Sequence, residues 1–538
     1  MKQNLDQQRY WDYIVIGAGS AGCAVAHELV SSSRNHNILV LEAGGSDRSP
    51  FIRFPAGAMR AAEKYDWGYR SQPDPSCNGA TEPWARGRVL GGSSSVNTTV
   101  FVRGAARDFD RWADPSRSGS VAGWSASDVV PVFREMETSD QSGPLRGAAG
   151  PLHVRTVRKP HALTDAFIAS AQRCGHKFND DYNGAQQEGV SYAQVSQRNG
   201  FRCSSADAFL RPLLGRKNIE LALNAWVQKI EFCNGRATGV SFLQNGKLRT
   251  ERAHGIVVSA GAINSPQLLM LSGIGDPEEL RRHGIDVRLD LPGVGRNLQE
   301  HPSIRLLYKS NVQTYNLTGG FRQKIGFLST YLASREGPVA NVFESVAFLK
   351  TSPAEPAPDV QVHFGPVGLL DDRDGCRLAP FPSVSSVVNK SYPLGRGRIR
   401  LASNDPKSPP LIECRLLGAE ADVDTLVRGI FMIRKIMAVE PVAHLVEQDP
   451  VSGPDSTDSM YLKGYVRGHA KTTYHPVGTC RMGTDADSVV GPDLRVRGTE
   501  NLWVADASIM PDLISGNTNA VCMMIGKKLG SQLAAYRG

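Results

Sequence analysis

The chain is short of the residues and runs that staple a fold, span a bilayer or pair with polyanions. Its 538 residues hold nine cysteines, at 23, 77, 174, 203, 233, 376, 414, 480 and 522, with no C-x-x-C among them. An odd, scattered set fits free thiols in a reducing compartment better than a disulfide framework or a zinc site. Nowhere do His, Cys and Asp gather at metal-ligand spacing, so no metal is expected. No apolar run approaches the ~18 residues needed to cross a bilayer, and residues 1–11 lack the apolar stretch of a signal peptide. The expectation is a cytoplasmic protein with no transmembrane segment, with peripheral membrane contact left open. Long basic runs are missing too: Arg396-Gly397-Arg398 and Arg495-Val496-Arg497 stand alone, and 61 Lys and Arg against 53 Asp and Glu leave an excess of only eight. Spread over this length, that excess describes a solvated surface and not a nucleic-acid groove. Internal repeats and low-complexity tracts are also absent.

What is present is an ordinary globular balance, 41% apolar and 21% charged, in a chain long enough for more than one domain. The most informative stretch is Asp12-Tyr13-Ile14-Val15-Ile16-Gly17-Ala18-Gly19-Ser20-Ala21-Gly22, an apolar strand running into G-x-G-x-x-G with a helix behind it. Gly17 permits the tight turn, Gly19 lets backbone approach a pyrophosphate, and Gly22 lets helix and strand pack closely, so phosphates, with Ser20 and Ala21 beside them, meet a positive helix N-terminus. A second strand, Ile38-Leu39-Val40-Leu41, ends at Glu42, placed to accept hydrogen bonds from a ribose diol. This fingerprint does not separate NAD from FAD.

Residues 46–150, rich in Gly, Pro and Ser, read as long functional excursions. Residues 218–254 read as a β-meander with hairpin turns at Asn234-Gly235 and Asn245-Gly246, followed by a buried strand over 255–261 and a helix over 265–271. From about 310 to 460 the texture changes to strands such as 359–364 and a helix over 422–437, a layer covering the site. A strand at 502–505 and a helix over 517–534 return to the first style, so the nucleotide-binding part is discontinuous.

Three further stretches carry polar chemistry. Gly87-Arg88-Val89-Leu90-Gly91-Gly92-Ser93-Ser94-Ser95-Val96-Asn97 offers backbone and hydroxyl donors to a pyrophosphate or planar ring, and by itself reads equally as a flexible linker. The second runs from Gly261-Ala262-Ile263-Asn264-Ser265-Pro266 to Leu291-Pro292-Gly293-Val294-Gly295-Arg296-Asn297-Leu298-Gln299-Glu300-His301-Pro302. The third joins Tyr474-His475-Pro476-Val477-Gly478-Thr479-Cys480 to Val504-Ala505-Asp506-Ala507 and Gly516-Asn517-Thr518-Asn519. A lone His before Pro is, on its own, more often structural.

Taken together and in this order, these stretches resemble the glucose-methanol-choline (GMC) oxidoreductases, FAD-dependent alcohol dehydrogenases and oxidases, over essentially the whole chain. The resemblance implies an α/β fold. Its discontinuous Rossmann-like FAD-binding domain, a parallel sheet plus β-meander, spans 1–155, 200–310 and 460–538. A second α+β substrate-binding domain with an antiparallel sheet spans 156–199 and 311–459. It implies FAD contacts along Gly17, Gly19, Ser20, Ala21 and Gly22, at Glu42, Trp67, Gly92, Ser93, Asn97 and Val227, and at Asp506, Ala507, Asn517 and Thr518. It places His475 before the flavin N5 as general base, with Asn519 beside it orienting the oxygen. His301 and His469 are left as structural or peripheral. Members that tether FAD do so through a histidine before the asparagine of Gly-Gly-x-Ser-Ser; Val96 stands there, so FAD is expected to be non-covalent.

The implied reaction is oxidation of a small or medium primary alcohol or polyol to the aldehyde. Within the family the chain is similar to the bacterial choline, sorbose, aliphatic-alcohol and polyethylene-glycol dehydrogenases. Oxygen or a quinone-like carrier would accept the electrons, the second being preferred. The competing expectations are an alcohol oxidase, or a lyase of the hydroxynitrile type that binds FAD without redox turnover.

Overall fold

The computed structural model describes residues 10–535 other than 317, 373, 374, 449, 452, 454 and 455. Tyr10–Ile16 and Ile38–Leu41 pair in parallel, Ile14 lying opposite Leu39, and the helix Ser20–Ser31 connects them. Both strands are apolar and buried almost throughout, as strands covered on both faces must be.

Seven strands form the cofactor-side sheet. Its order runs Ile219–Ala222, Ile38–Leu41, Tyr10–Ile16, Lys247–Val258, Arg236–Gln244 and Ala225–Cys233, with Leu502–Val504 also joined to Lys247–Val258. The meander is shorter than the sequence suggests. Ile219–Ala222 pairs in parallel with Ile38–Leu41 and belongs to the nucleotide-binding sheet, so the antiparallel run begins at Ala225. Its two turns use left-handed Asn234 and Asn245, each followed by a left-handed glycine, the geometry of a two-residue hairpin. The strand expected at 255–261 is the end of Lys247–Val258, whose first half pairs antiparallel in the meander and whose second half pairs parallel with Tyr10–Ile16. One continuous strand therefore welds the two halves.

A second, six-stranded sheet is antiparallel: Lys471–Thr472, Pro302–Lys309, Ser383–Lys390, Val360–Gly365, Ser345–Leu349 and Gly189–Tyr192. It takes in Pro302–Lys309 and Lys471–Thr472, stretches expected in the FAD-binding part: Pro302–Lys309 pairs with Ser383–Lys390 on one side and with Lys471–Thr472 on the other. The period of two along these strands decides the site. Val360, Val362, Phe364, Val388, Ile304 and Leu306 face a core shared with the helix Glu420–Met437, whereas His363, Asn389, Ser303 and Arg305 face a cavity.

Candidate active site

Between the two sheets lies a cavity of about 1210 Å³, larger than the ~300–1,000 Å³ of drug-sized pockets and roomy enough for a dinucleotide and a small substrate together. Its walls gather Gly17, Gly19, Ser20, Ala21, Glu42, Trp67, Gly92, Ser93, Asn97 and Val227 with Asp506, Ala507, Asn517, Thr518, Asn519 and His475. Gly22 is not on the wall. It sits beneath the turn, where an added Cβ would stand 1.9 Å from the Gly17 carbonyl oxygen.

The two glycine stretches are bolted together. The Gly91 N–H donates to the Ala18 carbonyl at 2.8 Å, and a Cβ on Gly92, whose φ is +54°, would stand 2.8 Å from the Gly19 Cα. Backbone thus meets backbone with no side chain between, leaving peptide N–H groups bare for phosphate oxygens. The serines turn mostly inward: Ser94 and Ser95 donate to the carbonyls of Gly91 and Leu90 and so fix this loop, which is no linker.

Glu42 is buried and accepts the N–H groups of Ala18 and Gly44 at 3.0 and 2.8 Å; burial pushes its carboxyl up to about 7. It still borders the cavity with acceptor capacity to spare for a diol. Trp67 stacks on Tyr69 and meets Trp226, next to Val227, edge on at 5.0 Å. Asp506 accepts the Gly261 N–H at 2.8 Å and so caps the helix Gly261–Leu271, which begins four residues earlier than expected.

At the far end stands His475, buried, on a turn whose preceding residue, Tyr474, has φ +65°. A left-handed tyrosine costs about 1–3 kcal/mol and persists only when its surroundings over-determine it. Here Arg86 donates to the Tyr474 carbonyl at 2.5 Å, Thr472 Oγ1 accepts the Tyr474 N–H at 2.9 Å, and the Glu300 carboxylate accepts the His475 N–H at 2.8 Å.

Hydrogen bonding also fixes the protons. His301 Nε2 lies 2.9 Å from the Ile514 carbonyl and 3.1 Å from that of Ser391, two pure acceptors, so this nitrogen carries a hydrogen. His301 Nδ1 is then an acceptor, and His475 Nδ1 donates to it at 3.0 Å and to Thr473 Oγ1 at 3.1 Å. The remaining nitrogen, His475 Nε2, keeps a lone pair turned toward Asn517, whose Nδ2 donates to it at 3.1 Å. Gln361 Nε2, donating to Asn517 Oδ1 at 3.0 Å, sets that amide's orientation. Burial foremost, then the imidazoles of His301 and His363 and the guanidinium of Arg86, hold the His475 pKa well below its usual 6.5. The site presents a neutral imidazole whose one lone pair, on Nε2, is met by the Asn517 amide at the cavity wall.

Asn519 does not join this pair. Its Oδ1 accepts from Ser20 Oγ at 2.7 Å, on the glycine-turn side of the cavity, and the residue beside His475 is Asn517. The cause is local: Asn517 precedes the helix Asn519–Ala535, and two residues around its start point to opposite walls. His301 is more than a structural lining residue, since it touches His475 directly. His469, by contrast, ends the helix Ser459–His469, bonds the Tyr465 carbonyl and stacks on that ring, outside the cavity.

Sequence reasoning missed Glu300, Arg86, Gln361, His363 and Asn389. The alternation Val360-Gln361-Val362-His363-Phe364 was a usable signal, because period two puts both polar residues on one face. The burial of His363 Nδ1 and of both Asn389 amide atoms without partners marks this face as built for a polar ligand. Among the described residues no group of three or more His, Cys, Asp or Glu could hold a metal ion, and no helix is long and apolar enough to cross a membrane.

A dinucleotide cradle sharing one cavity with a tautomer-fixed imidazole defines a redox enzyme built around a bound cofactor. Models of the GMC oxidoreductase family match residues 11–303 and 393–526. Over 532 residues the chain is 38% identical to an oxygen-dependent choline dehydrogenase of Rhizobium rhizogenes, covering 97% of this chain and 95% of that one. Over 529 residues it is 38% identical to an alcohol dehydrogenase (acceptor) of Pseudomonas putida, covering 96% and 94%. Among solved structures, pyridoxine 4-oxidase from Mesorbium loti superposes with a TM-score of 0.88 at 27% identity, covering 98% of this chain and 100% of that one. The chain belongs to the GMC oxidoreductase family, the FAD-dependent oxidoreductases acting on CH–OH groups. FAD fits the cavity: the glycine cradle, Glu42 and Val227 would hold its dinucleotide part, and the His475 end is left for the ring and the alcohol.

Proposed function

We propose that the protein oxidises a neutral primary alcohol to its aldehyde, with His475 Nε2 accepting the hydroxyl proton and Asn517 Nδ2 donating to the alcohol oxygen. FAD bound in the cavity supplies the hydride acceptor. The observation that carries the reading is the proton order of the chain Ser391 and Ile514 carbonyls, His301, His475, Asn517, which leaves one nitrogen able to take a proton. An imidazole suits this role because it gains a proton where the alcohol oxygen becomes negative, while the amide of Asn517 holds that oxygen without competing for the proton. Glu300 and Arg86 act on the turn that carries His475 and do not exchange protons with substrate.

A neutral alcohol is favoured by charge. His363 is kept neutral by burial, its pKa pushed down to about 4, and of the carboxylates toward this end Glu82 is paired with Lys471 at 2.7 Å and Asp371 with Arg305. With Arg305 and Lys471 set against these two carboxylates, Arg377 on the cavity wall leaves the balance of the named groups positive, which disfavours a cationic alcohol such as choline. The orphaned His363 and Asn389 atoms suit a second hydroxyl of a polyol or a neutral polar tail. As electron acceptor we propose a carrier other than oxygen, as the name of the Pseudomonas putida alcohol dehydrogenase (acceptor) suggests and against the oxygen-dependent name of the Rhizobium rhizogenes relative, and as location the cytoplasm.

The test is an anaerobic titration of purified holoenzyme with neutral primary alcohols, polyols and choline, followed by the flavin's visible absorbance. Bleaching by a neutral alcohol supports the reading, and bleaching by choline alone replaces its substrate class. Turnover of a cyanohydrin without bleaching would make the protein a lyase.

A further inference from the structure

The helix Gly320–Ser334 is turned the wrong way round for a soluble protein. Phe321, Ile325, Leu328 and Leu332 are 77%, 51%, 52% and 60% exposed, and their spacing of four, three and four residues puts all of them on one stripe. The inward face is held by other groups. Gln323 Nε2 donates to the carbonyls of Thr314 and Asn316, Phe327 meets the Tyr315 ring edge on, and Tyr331, the helix's one buried side chain, packs on Phe54 and Phe201. The apolar stripe therefore faces solvent, and from Phe321 to Leu332 it runs ~17 Å along a helix of ~22 Å.

Charge says what covers it. The helix has no Asp or Glu; Arg322 and Lys324, both exposed, fall on opposite flanks of the stripe when its residues are set at 100° intervals. Next to the inward face, Arg53 and Arg335 lie over the Phe201 ring at 4.5 and 5.5 Å, both exposed. The carboxylate that follows, Glu336, is buried and taken up by Arg155. A second copy of the chain packed stripe to stripe would bring these cations toward their own duplicates with no helical carboxylate to offset them. An apolar stripe flanked by cations and free of acids is the pattern of a helix lying in the interface of an anionic membrane.

We propose that Gly320–Ser334 docks this protein on the surface of an anionic lipid bilayer, with Phe321, Ile325, Leu328 and Leu332 in the headgroup boundary and Arg322 and Lys324 against lipid phosphates. The segment that follows the helix reaches the cavity wall. Val339, five residues past the helix, accepts the Ala56 N–H at 3.1 Å, and Ala56, Val342 and Phe343 line the cavity. The proposal is independent of the substrate and acceptor readings, since it concerns lipid and this helix alone.

The test is co-sedimentation of FAD-loaded full-length protein with vesicles of phosphatidylcholine alone or mixed with phosphatidylglycerol. The protein is expected to pellet with the mixed vesicles, to be released by high salt, and to lose at least about tenfold of that binding in the double variant Phe321→Ser with Leu328→Ser. A second readout is site-specific: Trp emission in Phe321→Trp shifts to the blue when mixed vesicles are added, and this decides the matter should the double variant fail to load FAD. No pelleting with mixed vesicles overturns the proposal, as does no emission shift. Equal binding by the double variant, or a dimer in light scattering that this variant dissolves, also overturns it.

Discussion

His301 and His475 face each other through their Nδ1 atoms at 3.0 Å, with rings perpendicular and centroids 5.2 Å apart. The contact makes the outer imidazole, anchored to two carbonyls, dictate which nitrogen of the inner one is free. His301 is thus a positioning residue for His475. His301→Ala is expected to retain FAD while kcat falls about 10- to 100-fold, about 1.4–2.7 kcal/mol of barrier. It should also move the acid limb of the pH profile upward, because the imidazole that disfavours charge on His475 is gone. An unchanged limb and rate would show the contact to be packing only.

Asn517 and Asn519 should separate cleanly. Removing the amide beside His475 in Asn517→Ala is expected to cost about 10²–10³ in kcat, the usual loss for one donor to a developing oxyanion. Asn519→Ala, which breaks the bond to Ser20 on the cofactor side, should instead weaken FAD retention with little change in kcat of the loaded enzyme. Steady-state kinetics with flavin content measured alongside distinguish the two, and the reverse pattern would restore Asn519 to the catalytic pair.

The pH dependence carries a sign. Because burial and the neighbouring charges lower the His475 pKa below 6.5, the imidazole is neutral through the neutral range and able to accept a proton. kcat/KM is therefore expected to stay flat from pH 8 down past 6.5 and to fall only in more acid solution, as the base becomes protonated. A limb centred above 7 would contradict the burial argument.

Gly92→Ala tests the cradle. Its Cβ would enter the Gly19 Cα at 2.8 Å from a left-handed backbone, so strain of about 1–3 kcal/mol adds to a forced separation of the two glycine stretches. Protein purified from this variant should carry little flavin; a full yellow complement would show that the close approach does not matter. In the unaltered protein, acid precipitation should leave all FAD in the supernatant, since Val96 offers no atom to tether it.

Much of this was legible in the sequence, where each signal was local. The first glycine turn, Glu42 after its strand, the Asn-Gly hairpins and the helix Glu420–Met437 are all written in residues within one element of each other. What was not legible depends on distant pairing. Ile219–Ala222 looks like a meander strand until it pairs with Ile38–Leu41, and one long strand, Lys247–Val258, serves both the parallel and the antiparallel half of one sheet. His301 could not be joined to His475 across 174 residues by spacing alone. Asn517 and Asn519 are chemically identical, and only the onset of the helix decides which wall each meets. The outward stripe of Gly320–Ser334 was not legible, because periodicity shows that a face exists and not which way it points.

The central claim is proton removal at His475 Nε2 during alcohol oxidation. It is tested most directly by anaerobic stopped-flow reduction of FAD-loaded His475→Ala against the unaltered enzyme, with the best neutral primary alcohol as reductant. The account predicts that the variant binds FAD and alcohol yet bleaches about 10²- to 10⁴-fold more slowly. Bleaching at the unaltered rate would contradict it.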